Sequence, residues 1–143
     1  MINDSKQVIA IDQASTTNGA TASGNIDRMG WDYVQIDVIT STSNDVTNNP
    51  SVLKLMHGDT TDATNLSNIS GTVGDSDYSI PNAVTSGSWG VRFNVDARAL
   101  SRYIQVQVSP TTTQTITAIA SLSKGETAAV DATSAGVQAL VEV

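Results

Sequence analysis

The stretch Arg102–Leu122, RYIQVQVSPTTTQTITAIASL, decides the fold class of this chain. Apolar residues occupy every second position on both sides of Pro110: Ile104, Val106 and Val108 before it, and Ile116, Ala118, Ala120 and Leu122 after it. A period of two residues with many β-branched side chains is typical of strands that bury one face. The two runs therefore predict two strands, and the short threonine-rich connection predicts that they pair as a β-hairpin.

The same alternation recurs upstream. It predicts strands at Trp31–Thr40, Val52–His57 and Gly90–Val95, and the first of these changes phase near Tyr33, which predicts a β-bulge there. Shorter strands are predicted at the two ends of the chain, at Gln7–Asp12 and Val137–Val143. Polar stretches between the strands predict a long loop or an irregular edge at Gln13–Asn25 and a long loop at Gly58–Tyr78.

Composition supports the same fold class. The chain of 143 residues contains 17 serines and 18 threonines, but only two glutamates, so residues that favour helices are scarce. We predict an all-β, single-domain β-sandwich of jelly-roll type over residues 1–124, including an N-terminal arm. Residues 125–143 are predicted to form a C-terminal arm or a terminal strand, with a helix over Glu126–Ala135 as the weaker alternative.

Charge and residue usage exclude several classes of function. The net charge of -7 argues against a nucleic-acid-binding domain, which needs cations to neutralise phosphates. There is no cysteine, one histidine and no apolar run of membrane-spanning length, and the polar segment Met1–Ala10 does not resemble a signal peptide. We therefore expect a soluble protein with no bound cofactor, no nucleic acid and no membrane partner.

Two acidic clusters are candidates for metal binding. His57, Asp59 and Asp62 lie within six positions, and Asp75 and Asp77 resemble part of a calcium loop. Acidic residues next to glycine and serine also stabilise turns, and this interpretation is favoured for both clusters. No serine lies in a G-x-S-x-G motif, so a hydrolase would have to be built around His57. We expect neither a metal site nor a catalytic residue.

Five residues are candidates for an interaction surface. Tyr78 and Trp89 fall in predicted loops, where aromatic rings could stack on a sugar. Arg92, Arg98 and Arg102 lie within eleven positions and could line one edge as an interface patch, or could be ordinary outward charges. The aromatic residues predicted to be in the core are Trp31, Phe93 and Tyr103.

The order of segments resembles the head decoration, or cement, proteins of tailed bacteriophages. The resemblance is carried by Ile26–Tyr33 (IDRMGWDY), Leu53–Asp59 (LKLMHGD) and Arg102–Val108 (RYIQVQV), the last followed by Ile116–Leu122. It spans roughly residues 5 to 124 and does not include the tail after Lys124. The resemblance implies a β-sandwich that forms a homotrimer on the outer surface of the virion and bridges neighbouring major capsid proteins.

The leading hypothesis is therefore a non-enzymatic structural protein that stabilises a phage head. The alternative is a carbohydrate- or receptor-binding β-sandwich module of a phage tail or fibre, which would use Tyr78 or Trp89. A metal-assisted hydrolase around His57 is the third hypothesis.

Overall fold

Nine strands and one short 3₁₀-helix make up the described part of the chain, which in this computed structural model comprises residues 5–41, 49–81, 89–124 and 139–143. The strands are β1 (Ser5–Thr16), β2 (Ala22–Asp27), β3 (Tyr33–Ser41), β4 (Val52–Gly58), β5 (Ser67–Asn68), β6 (Trp89–Asp96), β7 (Tyr103–Ser109), β8 (Gln114–Ser123) and β9 (Ala139–Glu142). The 3₁₀-helix, Ala63–Asn65, lies between β4 and β5.

The first eight strands pair as if the chain were one long hairpin that has been rolled up. β1 pairs with β8, β2 with β7, β3 with β6 and β4 with β5, and every pair is antiparallel. Rolling places alternate pairs in different sheets, whose strand orders are β1-β8-β3-β6-β9 and β2-β7-β4-β5. This arrangement is a jelly roll, a β-sandwich of two sheets in which the first eight strands are antiparallel to their neighbours. The predicted all-β sandwich is confirmed.

The core lies between the two sheets and follows the alternation read from the sequence. Its largest completely buried side chains include Phe93, Ile36, Leu53, Leu55, Ile104, Ile116 and Leu122. The alternating apolar positions predicted for the strands on both sides of Pro110 are buried, from Ile104 to Val108 and from Ile116 to Leu122, and that prediction is confirmed. Phe93 belongs to the core as predicted, whereas Trp31 and Tyr103 are only partly buried.

The predicted hairpin across Pro110 is wrong. β7 pairs with β2 and β4 in the four-stranded sheet, whereas β8 pairs with β1 and β3 in the five-stranded sheet. Alternation identifies which face of a strand is buried but does not identify its neighbours. Because each of these strands has two other partners, the short connection at Pro110 carries the chain from one sheet to the other.

Over Gln13–Asn25 the structure has the irregular edge in part, since β1 is a bulged edge strand, and it does not have the long loop. β1 continues to Thr16, and β2 buries Ala22, Gly24 and Ile26 while Ser23 and Asn25 are exposed. Small and polar residues concealed this strand, because its alternation is between small and polar side chains rather than between large apolar and polar ones.

The prediction of a β-bulge near Tyr33 is wrong, and the bulges that the structure describes are in β1. The pairing of β3 with β6 is regular from Tyr33 to Thr40, because the strand begins at Tyr33 and Trp31 belongs to the preceding turn. The register shifts are both in β1, between Ile9 and Ile11 and between Ile11 and Ala14. Each shift inserts one extra residue into β1, as a bulge does.

The C-terminal end of the chain provides the predicted terminal strand. β9 pairs in parallel with β6 and extends the five-stranded sheet, with Val141 buried next to Phe93. The possible helix over Glu126–Ala135 and most of the predicted C-terminal arm lie outside the described residues.

Candidate functional site

Two loops carry the chain between the sheets at the same end of the sandwich. One joins β2 to β3 and the other joins β6 to β7, and they are hydrogen-bonded to each other and to the strand ends: Arg28 N–H donates to the Arg102 carbonyl at 3.1 Å, and Ala97 N–H donates to the Asp32 carbonyl at 2.8 Å. We call the surface formed by Asp27–Tyr33 and Asp96–Tyr103 the connector surface.

Arg98 is fixed on the connector surface by an acid and a ring. Its Nε and Nη2 donate to the two carboxylate oxygens of Asp96 at 2.9 and 2.6 Å, and its guanidinium lies 5.3 Å from the centre of the Tyr33 ring. Tyr33 and Asp96 are themselves opposite each other in the β3–β6 pair. The guanidinium is therefore held at the end of the five-stranded sheet by a bidentate ion pair and a cation–π contact.

Arg102 repeats this arrangement on the four-stranded sheet. Its Nε and Nη2 donate to Asp27 at 3.1 and 2.8 Å, and its guanidinium lies 4.9 Å from the centre of the Tyr103 ring. Asp27 and Tyr103 are opposite each other in the β2–β7 pair. At the end of each sheet, an arginine therefore forms an ion pair with an aspartate and a cation–π contact with the tyrosine opposite that aspartate.

These ion pairs shift the pKa values of their members and balance their charges. The hydrogen bonds from Arg102 and from Met29 N–H lower the pKa of Asp27 to about 2, and those from Arg98 lower the pKa of Asp96 to about 2. The same pairing raises the pKa of both arginines. Because all four groups stay charged near neutral pH and neutralise one another, the surface offers planar, ordered groups without a concentrated charge.

The Arg28 side chain bridges the two loops by donating hydrogen bonds to backbone carbonyls of both. Its Nε donates to the Ser101 carbonyl at 2.8 Å, one Nη donates to the Leu100 carbonyl, and the other donates to the Trp31 carbonyl at 3.4 Å. Since these acceptors belong to both loops, a single side chain fixes the position of one loop relative to the other. Arg28 is therefore structural, unlike the two outer arginines.

The Met29 side chain is exposed on the loop that Arg28 holds in place. It lies in a turn that is closed by a hydrogen bond from Trp31 N–H to the Arg28 carbonyl at 2.9 Å and contains Gly30 at φ +86°. The Met29 side chain is 64% exposed. An exposed methionine on a fixed backbone, with two ordered arginines and two tyrosines nearby, has the residue types that are enriched at protein–protein interfaces.

The predicted interface residues are not at one place. Arg98 and Arg102 lie on the connector surface, whereas Arg92 lies on the outer face of the five-stranded sheet and is paired with Asp37 at 2.6 and 3.0 Å. That hydrogen bonding raises the pKa of Arg92. The three arginines therefore do not line one edge, contrary to the expectation from their spacing.

The two predicted sugar-stacking rings are engaged inside the fold. Trp89 is 2% exposed, and its indole N–H donates to the Pro81 carbonyl at 2.8 Å. It is the first residue of β6 rather than part of a loop, which corrects its predicted exposure. The Tyr78 hydroxyl donates to the Leu53 carbonyl at 2.9 Å, and its ring packs edge-on against Phe93. Burial and two nearby acids raise the pKa of Tyr78. Trp89 therefore has no open face for stacking, and Tyr78 is partly buried with its hydroxyl hydrogen-bonded to the backbone.

The first acidic cluster is occupied by local structure. His57 Nδ1 accepts a hydrogen bond from Ser101 N–H at 3.1 Å. Asp62 caps the 3₁₀-helix by accepting from the backbone N–H and the hydroxyl of Thr64 at 3.0 and 2.9 Å, which lowers its pKa. Asp59 is exposed. The three side chains therefore do not converge on a common centre.

The second acidic cluster shapes a turn. Asp77 accepts from the N–H groups of Gly71 and Val73 at 2.8 and 3.1 Å, and Asp75 accepts from Ile80 N–H at 3.1 Å. Within the residues that the structure describes, no three histidine or acidic side chains are grouped so that they could hold a metal ion. None of the helices in the same residues is long and apolar enough to cross a membrane.

Comparison with models of known protein families finds no match, and comparison with curated proteins finds none either. The candidate site therefore depends on geometry. Sequence reasoning found Arg98 and Arg102 but did not single out Met29, Arg28 or Tyr33 as surface residues. The available signal was Asp96-Ala97-Arg98 at a strand end, where an acid and a base two positions apart can close a turn.

Proposed function

We propose that this protein is a non-enzymatic structural protein of a tailed-bacteriophage virion, which decorates the capsid and bridges neighbouring major capsid proteins. The connector surface carries the proposal: it is a rigid patch with an exposed methionine and two ordered Arg–Tyr pairs, on a jelly-roll scaffold. Such a patch suits binding to another protein, because the two arginines are already held by an ion pair and a ring before contact and lose little side-chain entropy.

The segment resemblance supports the capsid as the partner. Two of the three segments that carry the resemblance, Ile26–Tyr33 and Arg102–Val108, contribute to the connector surface or begin at it. We further propose that the protein acts as a homotrimer, because threefold repetition of a modest contact gives high avidity on a symmetric shell. A solution or capsid-bound mass of three times 14.9 kDa would support this.

The test uses capsids that lack the protein. Purified protein is mixed with them, and both its co-sedimentation and the temperature at which the capsid is disrupted are measured. We expect saturable binding and a higher disruption temperature. Absence of binding, together with absence of density for the protein on virions by electron cryo-microscopy, would refute the proposal.

Two matched variants separate the connector surface from the rest of the molecule. Met29→Asp and Asn18→Asp each add one negative charge to an exposed turn, at opposite ends of the sandwich. We expect Met29→Asp to weaken capsid binding at least about tenfold, since truncating a central anchor of an interface costs more than ~1.4 kcal/mol. Asn18→Asp should bind normally, and equal weakening by both would place the contact elsewhere.

The carbohydrate-binding alternative predicts a different outcome. A glycan-binding module would bind sugars and would not need capsids, whereas the cement protein should bind no glycan. The positions of Trp89 in the core and of the Tyr78 hydroxyl in a backbone hydrogen bond favour the cement protein.

A further inference from the structure

Among the residues that the structure describes, the first half of β1 is a sheet edge with no strand on its outer side. From Ser5 to Ile9 the strand pairs on one side with residues 119–123 of β8 in an unbroken register, and no described residue pairs with its other side. Ser5, Lys6, Gln7 and Ile9 are exposed, and Ile9 is 63% exposed. An open edge of this kind presents unpaired backbone N–H and C=O groups in the spacing of a strand.

The other edges of the two sheets are short or covered, as far as the structure describes them. β5 has two residues, and beyond it the backbone of β4 is hydrogen-bonded by the following loop: Ile69 N–H donates to the Leu55 carbonyl at 2.9 Å, and Gly74 N–H donates to the Leu53 carbonyl at 3.0 Å. β9 has four residues. β2, the other edge of the four-stranded sheet, has six residues and lies against β1 at Gly24, which the Ala10 carbonyl contacts. Ser5–Ile9 is therefore the edge suited to adding another strand.

The bulges in β1 limit this edge to its first five residues. At the first bulge the carbonyl of Ala10 lies against Gly24 of β2, so closely that a β-carbon at position 24 would overlap it. The second half of β1 therefore closes the sandwich against the opposite sheet. Bulges turn a strand away from a new partner, and only Ser5–Ile9 keeps regular geometry.

Size and charge determine what can occupy the edge. A contact along five residues falls below the ~1,000 Å² that a stable, independent interface buries, so this edge would not by itself hold two copies of the chain together. A second copy is therefore disfavoured. Lys6 is the single charged residue among Ser5–Ile9, so an added strand with an acidic residue opposite it is complementary.

We propose that an extended segment of the partner protein, with an apolar residue next to Ile9 and an acidic residue near Lys6, adds to Ser5–Ile9 as a sixth strand of the larger sheet. The proposal rests on the proposed function in that the partner is the capsid subunit. Backbone hydrogen bonds supply the contact and alternate side chains supply its specificity, as in other cases of strand addition.

Ile9→Lys and Ile39→Lys form a matched pair of variants for the test. Both isoleucines are exposed on the outer face of the five-stranded sheet, but Ile9 lies on the edge strand and Ile39 on the central strand β3. We expect Ile9→Lys to weaken co-sedimentation with capsids at least tenfold and Ile39→Lys to change it less than twofold. Both variants should keep the wild-type circular dichroism spectrum, because neither side chain is buried.

Three results would overturn the proposal. Normal capsid binding by Ile9→Lys would show that the edge is unused, and equal loss in both variants would show that the partner covers the sheet face instead. A wild-type dimer that Ile9→Lys converts to a monomer would assign the edge to a second copy.

A capsid-free measurement separates this inference from the proposed function. The probe is a synthetic heptapeptide of alternating valine and threonine with a central glutamate, added to isotope-labelled protein and followed by nuclear magnetic resonance. Shifts confined to residues 5–9 and their β8 neighbours would support strand addition even if the wild-type protein bound no capsid. No shifts, or shifts elsewhere, would refute strand addition even if it did.

Discussion

Gly24 lies where β2 passes directly against β1, and no larger side chain fits there. A β-carbon at this position would overlap the Ala10 backbone and come within 2.9 Å of the Ile11 side chain. We expect Gly24→Ala to lower the free energy of unfolding by about 1–3 kcal/mol, because the backbone of one sheet must move. Ser23→Ala, on the exposed face of the same strand, is the control. Chemical denaturation of both variants checks this, and equal stability would contradict it.

Arg28 and Arg98 differ in what their removal leaves behind. Arg28→Ala leaves three loop carbonyls without their donor, and we expect a loss of about 1–3 kcal/mol of stability. Arg98→Ala breaks an exposed ion pair, for which we expect little change. Urea unfolding measures both. A larger effect from Arg98→Ala would mean that the exposed ion pairs, rather than the hydrogen bonds of Arg28, stabilise the connector surface.

Thr72 acts at the scale of the elements, because its hydroxyl ties a loop to the edge of β4. The hydroxyl oxygen accepts from Leu55 N–H at 3.2 Å and lies 2.7 Å from the Ile69 carbonyl, to which it donates. Thr72→Val removes both bonds at a buried position, and we expect a loss of about 1–3 kcal/mol. Thr72→Ser keeps the hydroxyl and should lose less. Amide hydrogen exchange at Leu55 should accelerate only in the valine variant, and unchanged exchange would refute this role.

The elements differ in how far the sequence could predict them. Strands such as β6 and β7 were predictable because each carries large apolar residues on one face. β2 was not, because contact with β1 requires Gly24 and small neighbours, which have no hydropathy signal. Pairing was not predictable either, since alternation identifies the buried face but not the neighbouring strand.

The connector surface was predictable only in part, for a related reason. The spacing of Arg98 and Arg102 suggested an interface, but Arg98 meets Tyr33, and Arg102 meets Asp27, only through the cross-strand register of two different sheets. Arg28 lies next to Met29 in the sequence. Their order does not show that the Arg28 side chain is partly buried and hydrogen-bonded while the Met29 side chain is exposed. The sequence predicts Trp89 in a loop, because the polar run before it has no strand pattern.

At the scale of the whole molecule, stability should vary with pH in two opposing ways. Going from neutral pH towards the sequence pI of about 4.3, the net charge of -7 decreases, so charge repulsion weakens and the melting temperature should rise modestly. Below that, Asp27 and Asp96 act in the opposite direction. Their pKa values in the folded protein are about 2, against an ordinary value of 3.8, so their contribution is present above pH 4 and is lost as the pH falls towards 2.

We therefore expect the melting temperature to pass through a maximum above pH 4 and to fall between pH 4 and pH 2. The Asp27→Asn, Asp96→Asn double variant should have a lower melting temperature at neutral pH and a smaller fall between pH 4 and pH 2, because neither asparagine can be protonated in that range. Differential scanning calorimetry across this range measures both curves. Parallel curves for the two proteins would mean that the ion pairs of the connector surface contribute nothing measurable to stability between pH 4 and pH 2.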